Sequence, residues 1–479
     1  MRSFLACAVL GSLSVNLSAA EKPNIIFIMT DQQFADAMSC RMGNRYINTP
    51  VMDRLASQGR LFSRAYSPNP LSMPARSSIF TGRYTHTTGV QANDAGSGGW
   101  KGLTVMGTYF RNAGYETAYF GKWHLQYDKS NPGSHGFSEL REPTRGKSEP
   151  SSPDTRVSEL AVRFIHQKHD KPFLLVASYL NPHNICEYAR RLSGRSQILT
   201  CGEIGDPPSS GQLPPPPFNL GPQLNEPDGM TLMRRGYQVE GGLFPVSRFD
   251  NNTWSVQRWG YYRMIEMVDA EIGKVMKALQ SAGLEENTVI VFTSDHGECA
   301  GAHGWNQKTV FYEESVRVPL IISWKGKTVP GTSVNLVNTG TDILPTMLEF
   351  AGICKPVELP GLSLMKLSMG MKVNKWRTHV ISENQLSQAG EIDGSVPFME
   401  GRMVRSERFK YCIYSQGSSR ESLTDMENDP GETRNLADDP AYKSTLVEHR
   451  ELLRKFGVEN RDTLAEKLLS IRRNKQILN

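Results

Sequence analysis

The chain has 479 residues, 38% of them hydrophobic and 22% charged, with a formal net charge of +5. That is long enough for one large folded domain and a smaller one. The positive charge is spread without a long basic run, which excludes the clustered footprint of a nucleic-acid binder and leaves an anionic small substrate open.

Residues 1–20, MRSFLACAVLGSLSVNLSAA, carry one Arg, a short apolar stretch and a small-residue end at Ser18-Ala19-Ala20. This is the pattern of an export signal, and the apolar stretch is too short to span a bilayer. An exported protein beginning near Glu21 is expected. Six of the seven cysteines lie beyond that point, none in a CxxC pair, which argues against a zinc ribbon. Export permits disulfides, and Cys186 with Cys201 is the candidate bridge.

The run NIIFIM at 24–29 reads as a buried strand whose carboxyl end delivers Asp31 and Gln32. PLSMPARSSIFTG at 70–82 follows. Taken alone, Ser72 reads as a helix cap, with Arg76 one turn behind it, and no Gly-x-Ser-x-Gly elbow activates it as a nucleophile. GYETAYFGKWH places Lys122 and His124 two apart, on one side if the stretch is extended. FLLVASY at 173–179 is a second buried strand, with His183 just past its end.

Residues 184–253 contain DPPSSGQLPPPPFNLGP and little periodicity, so they read as a loop-rich insertion that shapes a binding pocket. Met264, Ile265, Val268, Ile272, Val275 and Met276 then mark one face of a long helix that stops at Gly283. TVIVFT at 288–293 is a third buried strand, ending on Asp295 and His296, with His303 and Lys308 downstream. PLIIS at 319–323 is a fourth. Apolar strands alternating with amphipathic helices predict an α/β fold, a large mostly parallel mixed sheet sandwiched by helices over 21–374. From about 375 the pattern changes to a hairpin-like RMVRSERFKYCIYS and then charged helix, predicting a smaller C-terminal α+β subdomain over 375–479.

Ligands of such sheets bind beyond the carboxyl ends of the strands. Asp31, Gln32, Asp295 and His296 all fall there, and oxygen donors with one imidazole suit a divalent cation, calcium ahead of zinc. Arg76, Lys122, His124, His183, His303 and Lys308 are the basic residues of these strand exits and motifs. With a cation they would suit a tetrahedral oxyanion such as a sulfate or phosphate ester.

SMPARSSIFTG and GYETAYFGKWH, in that order, resemble the two signatures of the type I sulfatase family of the alkaline-phosphatase superfamily. TGTDILPTMLEFAGI, PGLSL and LTDMENDPGETRNLA resemble its supporting segments. The resemblance covers nearly the whole mature chain. It implies that Ser72 is oxidised to formylglycine by a maturating enzyme, and that one hydroxyl of the aldehyde hydrate attacks sulfur. It further implies that Asp31, Gln32, Asp295, His296 and the modified residue 72 hold one calcium ion. Arg76 would stabilise the hydrate. Lys122 and His124 would bind the sulfate, and His183 and Lys308 would meet the bridging oxygen, with His183 protonating the leaving alcohol. His303 is a further substrate-binding candidate. The serine form of the signature points to a bacterial, exported enzyme, periplasmic or secreted, acting on a sulfated carbohydrate. Ser72 stands where Cys is more frequent, Gln32 where many members carry Asp, His296 where many carry Asn, and Met73 and Phe120 are larger than usual. A phosphodiesterase or phosphonate monoester hydrolase on the same scaffold, and an unmatured glycan-binding relative, are the alternatives.

Overall fold

A computed structural model describes residues 22–93, 102–143, 152–239 and 242–471. The export signal expected over 1–20 lies outside them. Fourteen strands run in chain order through these residues. The first ten are β1 (Asn24–Asp31), β2 (Arg60–Phe62), β3 (Ala65–Tyr66), β4 (Glu116–Gly121), β5 (Glu139–Arg141), β6 (Phe173–Pro182), β7 (Thr288–Ser294), β8 (Leu320–Trp324), β9 (Gly331–Ser333) and β10 (Val337–Asn338). Eight of them form one sheet in the order β5-β4-β6-β1-β7-β8-β2-β9, and β3 pairs with β10 apart from it. From β5 to β7 every pairing is parallel, whereas β8 runs antiparallel to β7 and β2.

The centre of this sheet is apolar on both faces because helices cover both. Along β1 the side chains alternate. Ile26 and Ile28 join one core with the helices Pro153–Ile165 and Asn251–Ser281. Ile25, Phe27 and Met29 join another with Ser72–Thr81 and Thr339–Phe350. The stripe of the long helix, including Ile265, Val268, Ile272 and Val275, is buried as its spacing predicts. Cutting Ile265 back to Ala would cost about 2–5 kcal/mol.

The four remaining strands are β11 (His379–Leu386), β12 (Met399–Ser406), β13 (Phe409–Tyr414) and β14 (Glu421–Asp425), an antiparallel meander. The helices Lys443–Asn460 and Thr463–Ser470 cover one of its faces. Its other face is met by the helix Asp228–Gln238, through Met230, Met233 and Tyr237. The insertion at 184–253 is therefore not loop alone. It contains this helix and Ile185–Leu192, and the Met230, Met233, Tyr237 spacing is the helical stripe hidden among prolines and glycines. Among the described residues no helix is long and apolar enough to cross a membrane.

Candidate active site

Three parallel strands and one helix start converge at the carboxyl edge of the large sheet. Ser72 is the first residue of its helix, and Leu71 ahead of it makes no side-chain cap. The Ser72 hydroxyl does not cap the helix either, contrary to its reading in isolation. It points away and lies 2.8 Å from Nε2 of His296. Nδ1 of that ring donates to the Gly297 carbonyl at 2.9 Å, so Nε2 carries the lone pair and accepts from Ser72.

One turn along, Arg76 is fully buried and ties the strand ends together. Its Nη2 donates to Asp31 Oδ2 at 2.8 Å and its Nε to Asp295 Oδ2 at 2.9 Å. Its Nη1 donates to the Lys122 carbonyl at 3.0 Å and the Ser178 hydroxyl at 2.8 Å. Lys122 Nζ adds a third cation contact, 2.6 Å from Asp31 Oδ2. Lys122 reaches this position because Gly121 lets β4 press onto β6. A Cβ at Gly121, where φ is +116°, would fall 1.8 Å from the Ser178 carbonyl.

The turn after β1 puts Gln32 in the left-handed region, with φ +73°. Its backbone N–H donates to Asp295 Oδ1 at 3.1 Å. Its side-chain oxygen accepts from Lys308 Nζ at 2.5 Å, and its amide nitrogen donates to buried Glu298 at 2.5 Å. Lys122 and His124 do not share an extended segment: β4 ends at Gly121 and His124 has φ +46°.

The charges explain one another. Burial opposes ionisation of Asp31, but the cations Lys122, Arg76 and Lys308 outweigh it and hold the carboxyl well below its usual range. Burial, followed by Lys122 and Lys308, pushes the His183 imidazole well down. Burial with Lys122 and Arg76 takes His124 to about 2. Burial takes His296 to about 4, against the pull of Asp295. The three imidazoles are neutral at pH 7, beside Lys122, Lys308 and Arg76.

Asp31, Asp295 and His296 each offer a ligand atom within 4.8 Å of the others. Asp31 Oδ1 is buried without a hydrogen-bond partner, and His296 Nε2 presents a lone pair. An unsatisfied buried carboxylate oxygen beside a second carboxylate fits a hard divalent cation.

His303 meets other partners: its ring stacks on Tyr312 at 3.6 Å, Nε2 lies 3.2 Å from Asn219 Nδ2, and the charges that act on it are Lys410 and Arg234. Strand-exit spacing does not reveal that the chain turns away at Gly301, where φ is +96°. Cys186 and Cys201 are both free thiols. Cys186 faces the Gln32 and Gln307 amides, and Cys201 the carbonyl of Gly202. Sequence reasoning also missed Ser178 and Glu298, which position Arg76 and Gln32. Glu298 lies inside the SDHGECAGAHGWNQK stretch, and its role is visible only once the chain is folded.

Residues 23–353 match the model of the family described as Sulfatase. The chain belongs to the sulfatase family. Residues 301–458 of this sulfatase also match the family described as N-sulphoglucosamine sulphohydrolase, C-terminal. Among its relatives is a Delta 4,5-hexuronate-2-O-sulfatase of Bacteroides thetaiotaomicron, 30% identical over 460 residues, with 93% of this chain and 90% of that protein covered. The solved structure of a 2-O GAG sulfatase superposes with a TM-score of 0.79 at 29% identity, covering 93% of this chain and 94% of that one. A phosphonate monoester hydrolase of Agrobacterium radiobacter shares the fold, with a TM-score of 0.71 at 22% identity, over 92% of this chain and 96% of that one. The sulfatase is thus a sulfuric ester hydrolase of the alkaline-phosphatase-like fold.

Proposed function

We propose that this sulfatase is exported and removes sulfate from a sulfated carbohydrate, using formylglycine made from Ser72 by a maturating enzyme and a calcium ion. The division into a catalytic part over 21–374 and a smaller part over 375–479 belongs to the same reading. The observation that carries it is the placement of Ser72 against His296, one turn ahead of the Arg76 that joins Asp31 to Asp295. The glycan substrate is supported by the named activities of the 2-O-sulfatase relatives. Asp31, Gln32, Asp295, His296 and residue 72 would hold the ion. When present, the aldehyde hydrate supplies the nucleophilic hydroxyl and the calcium supplies charge neutralisation.

The chain's own residues do the rest. Lys122 and Lys308 offer ammonium groups to the sulfate oxygens, where preorganised positive charge stabilises the transition state. Arg76 fixes the Asp31 and Asp295 carboxylates in place. Neutral His124 donates to the sulfate without adding a charge. His183 is held deprotonated by burial, Lys122 and Lys308. A bound sulfate offsets those cations, raises the imidazole and equips it to protonate the leaving oxygen.

Purified enzyme from a host that matures it should hydrolyse an aryl sulfate faster than an aryl phosphodiester. The peptide containing residue 72 should be lighter than the serine form by a pair of hydrogens. Faster phosphodiester cleavage would favour the phosphonate-hydrolase reading, and unmodified serine throughout would make the chain a non-catalytic relative.

A further inference from the structure

A second group of metal-ligating side chains comes from three separate segments of the chain. His303 lies in the turn Ala302–Gly304, Glu314 in the short helix Glu313–Val316, and Glu432 in the loop that follows β14. Each offers one ligand atom within 4.8 Å of the others. His303 and Glu432 are buried, so the group is held inside the protein. Asn219 stands between two of its members and is itself 4% exposed. Its amide nitrogen lies 3.2 Å from His303 Nε2, 2.9 Å from Glu314 Oε1 and 3.0 Å from the Gly431 carbonyl.

The group has more lone pairs than donors. A primary amide carries two N–H bonds, and the Asn219 nitrogen faces three acceptors. In addition, Glu314 Oε2, His303 Nδ1 and Asn219 Oδ1 are all buried without a hydrogen-bond partner. Buried polar atoms are ordinarily paired, and leaving one alone is costly. Orphans gathered in a carboxylate–imidazole cluster point to a ligand that brings positive charge. The neighbouring cations are engaged elsewhere. Lys410 Nζ lies 2.5 Å from Glu432 Oε1 and 3.1 Å from Glu313 Oε1, and among the described residues it makes no ion pair with Glu314. Arg234 donates to the His303 carbonyl at 3.4 Å and pairs its charge with Glu226. Glu432 Oε2 accepts from the Glu313 N–H at 2.7 Å, and each oxygen of that carboxylate keeps a further lone pair.

We propose that His303, Glu314 and Glu432 hold a metal ion of their own, a divalent transition cation. One imidazole and two carboxylates, with the Asn219 amide beside them, make a small mixed donor set. That favours a tetrahedral zinc-like ion over calcium, which gathers about six to eight oxygens. The ion acts as a staple. His303 stands in the chain between His296 and Lys308, and Glu432 belongs to the segment leaving the small antiparallel sheet, so the cation joins the two regions. None of its ligands is a residue of the cluster beside Ser72.

The test is the metal content of the full chain, purified from zinc-supplemented medium, dialysed against calcium and measured by inductively coupled plasma mass spectrometry. Wild-type protein should retain about one zinc per chain. His303→Gln and Glu314→Gln should each lose most of it, because each removes a ligand. Asp31→Asn, in the other cluster, should lose calcium and keep the zinc, which separates this site from the one beside Ser72. A further arm needs no variant to fold. Wild-type protein stripped with a chelator and returned to calcium alone should melt at a lower temperature, and added zinc should restore the Tm. Calcium as the sole metal retained, zinc that both His303→Gln and Glu314→Gln keep, or a Tm that zinc leaves unchanged after stripping overturns the proposal.

Discussion

The Ser72 hydroxyl meets Nε2 of His296 at 2.8 Å across 224 residues of chain. The imidazole is fixed by the Gly297 carbonyl on its other side, so its lone pair is aimed at residue 72 and the Asp31–Asp295 pair. His296→Ala removes that donor and should lower hydrolysis by about 10- to 100-fold, partly recovered at high calcium. Steady-state rates across a calcium titration would reveal it. An unchanged rate and unchanged calcium dependence would remove His296 from the ligand set.

The unpartnered Asp31 oxygen makes a second prediction. Calcium at 100 times its Kd should stabilise the fold by about 2.7 kcal/mol, read as a rise in Tm that a chelator reverses. Asp31→Asn should abolish most of the rise. A wild-type Tm indifferent to calcium would count against the site.

Arg76 is a buried cation holding two buried carboxylates. Arg76→Ala leaves Asp295 without its arginine and Asp31 with Lys122 alone, and should cost about 3–5 kcal/mol in denaturant unfolding. Arg76→Lys keeps the charge but cannot reach Asp31, Asp295, Ser178 and the Lys122 carbonyl together, so it should recover stability better than activity. Equal recovery of both would make the residue purely structural.

His183 offers a pH prediction. Its imidazole lies well below the usual range, first through burial and then through Lys122 and Lys308. Inorganic sulfate should offset the two cations and move its titration upward, followed by ring-proton NMR. Lys308→Met should move it upward without sulfate. A titration insensitive to both would remove His183 from the sulfate's surroundings.

His86 couples the helix after the signature to the smaller sheet. Nδ1 lies 2.8 Å from Glu383 Oε1 and Nε2 lies 3.0 Å from the Asn460 carbonyl. Both partners accept, so the ring is held as imidazolium, and Glu383 with Asp462 raises its pKa against the opposing effect of burial. A raised folded pKa contributes stability that is complete below the unfolded value of about 6.5 and is lost as pH climbs through the folded one. Denaturant midpoints should fall over that window, and His86→Gln should flatten the fall. An identical slope in the variant would discount the contact.

Much of the fold was legible before any coordinates. Runs such as NIIFIM and TVIVFT are apolar at every position, which suits strands covered on both faces. The Met264 to Met276 stripe carries a 3.6-residue period that survives in the buried face of its helix. The helix Asp228–Gln238 escaped because its core-facing residues are two methionines and a tyrosine set between glycines, in a segment dominated by prolines. Its stability comes from the β-sheet of the smaller part, far away in sequence.

By itself, the sequence determined the strand ends, the Ser72 and Arg76 spacing and the placing of acids and bases at the carboxyl edge. These depend on local periodicity and on residues a few positions apart. Only the tertiary structure decided that Ser72 serves His296 rather than a helix cap, that His303 stacks on Tyr312, and that Cys186 and Cys201 remain thiols. The same holds for Ser178 and Glu298 as supports. Such relations are set by which strands become neighbours and where each backbone turns, and no spacing along the chain encodes a distance across the sheet.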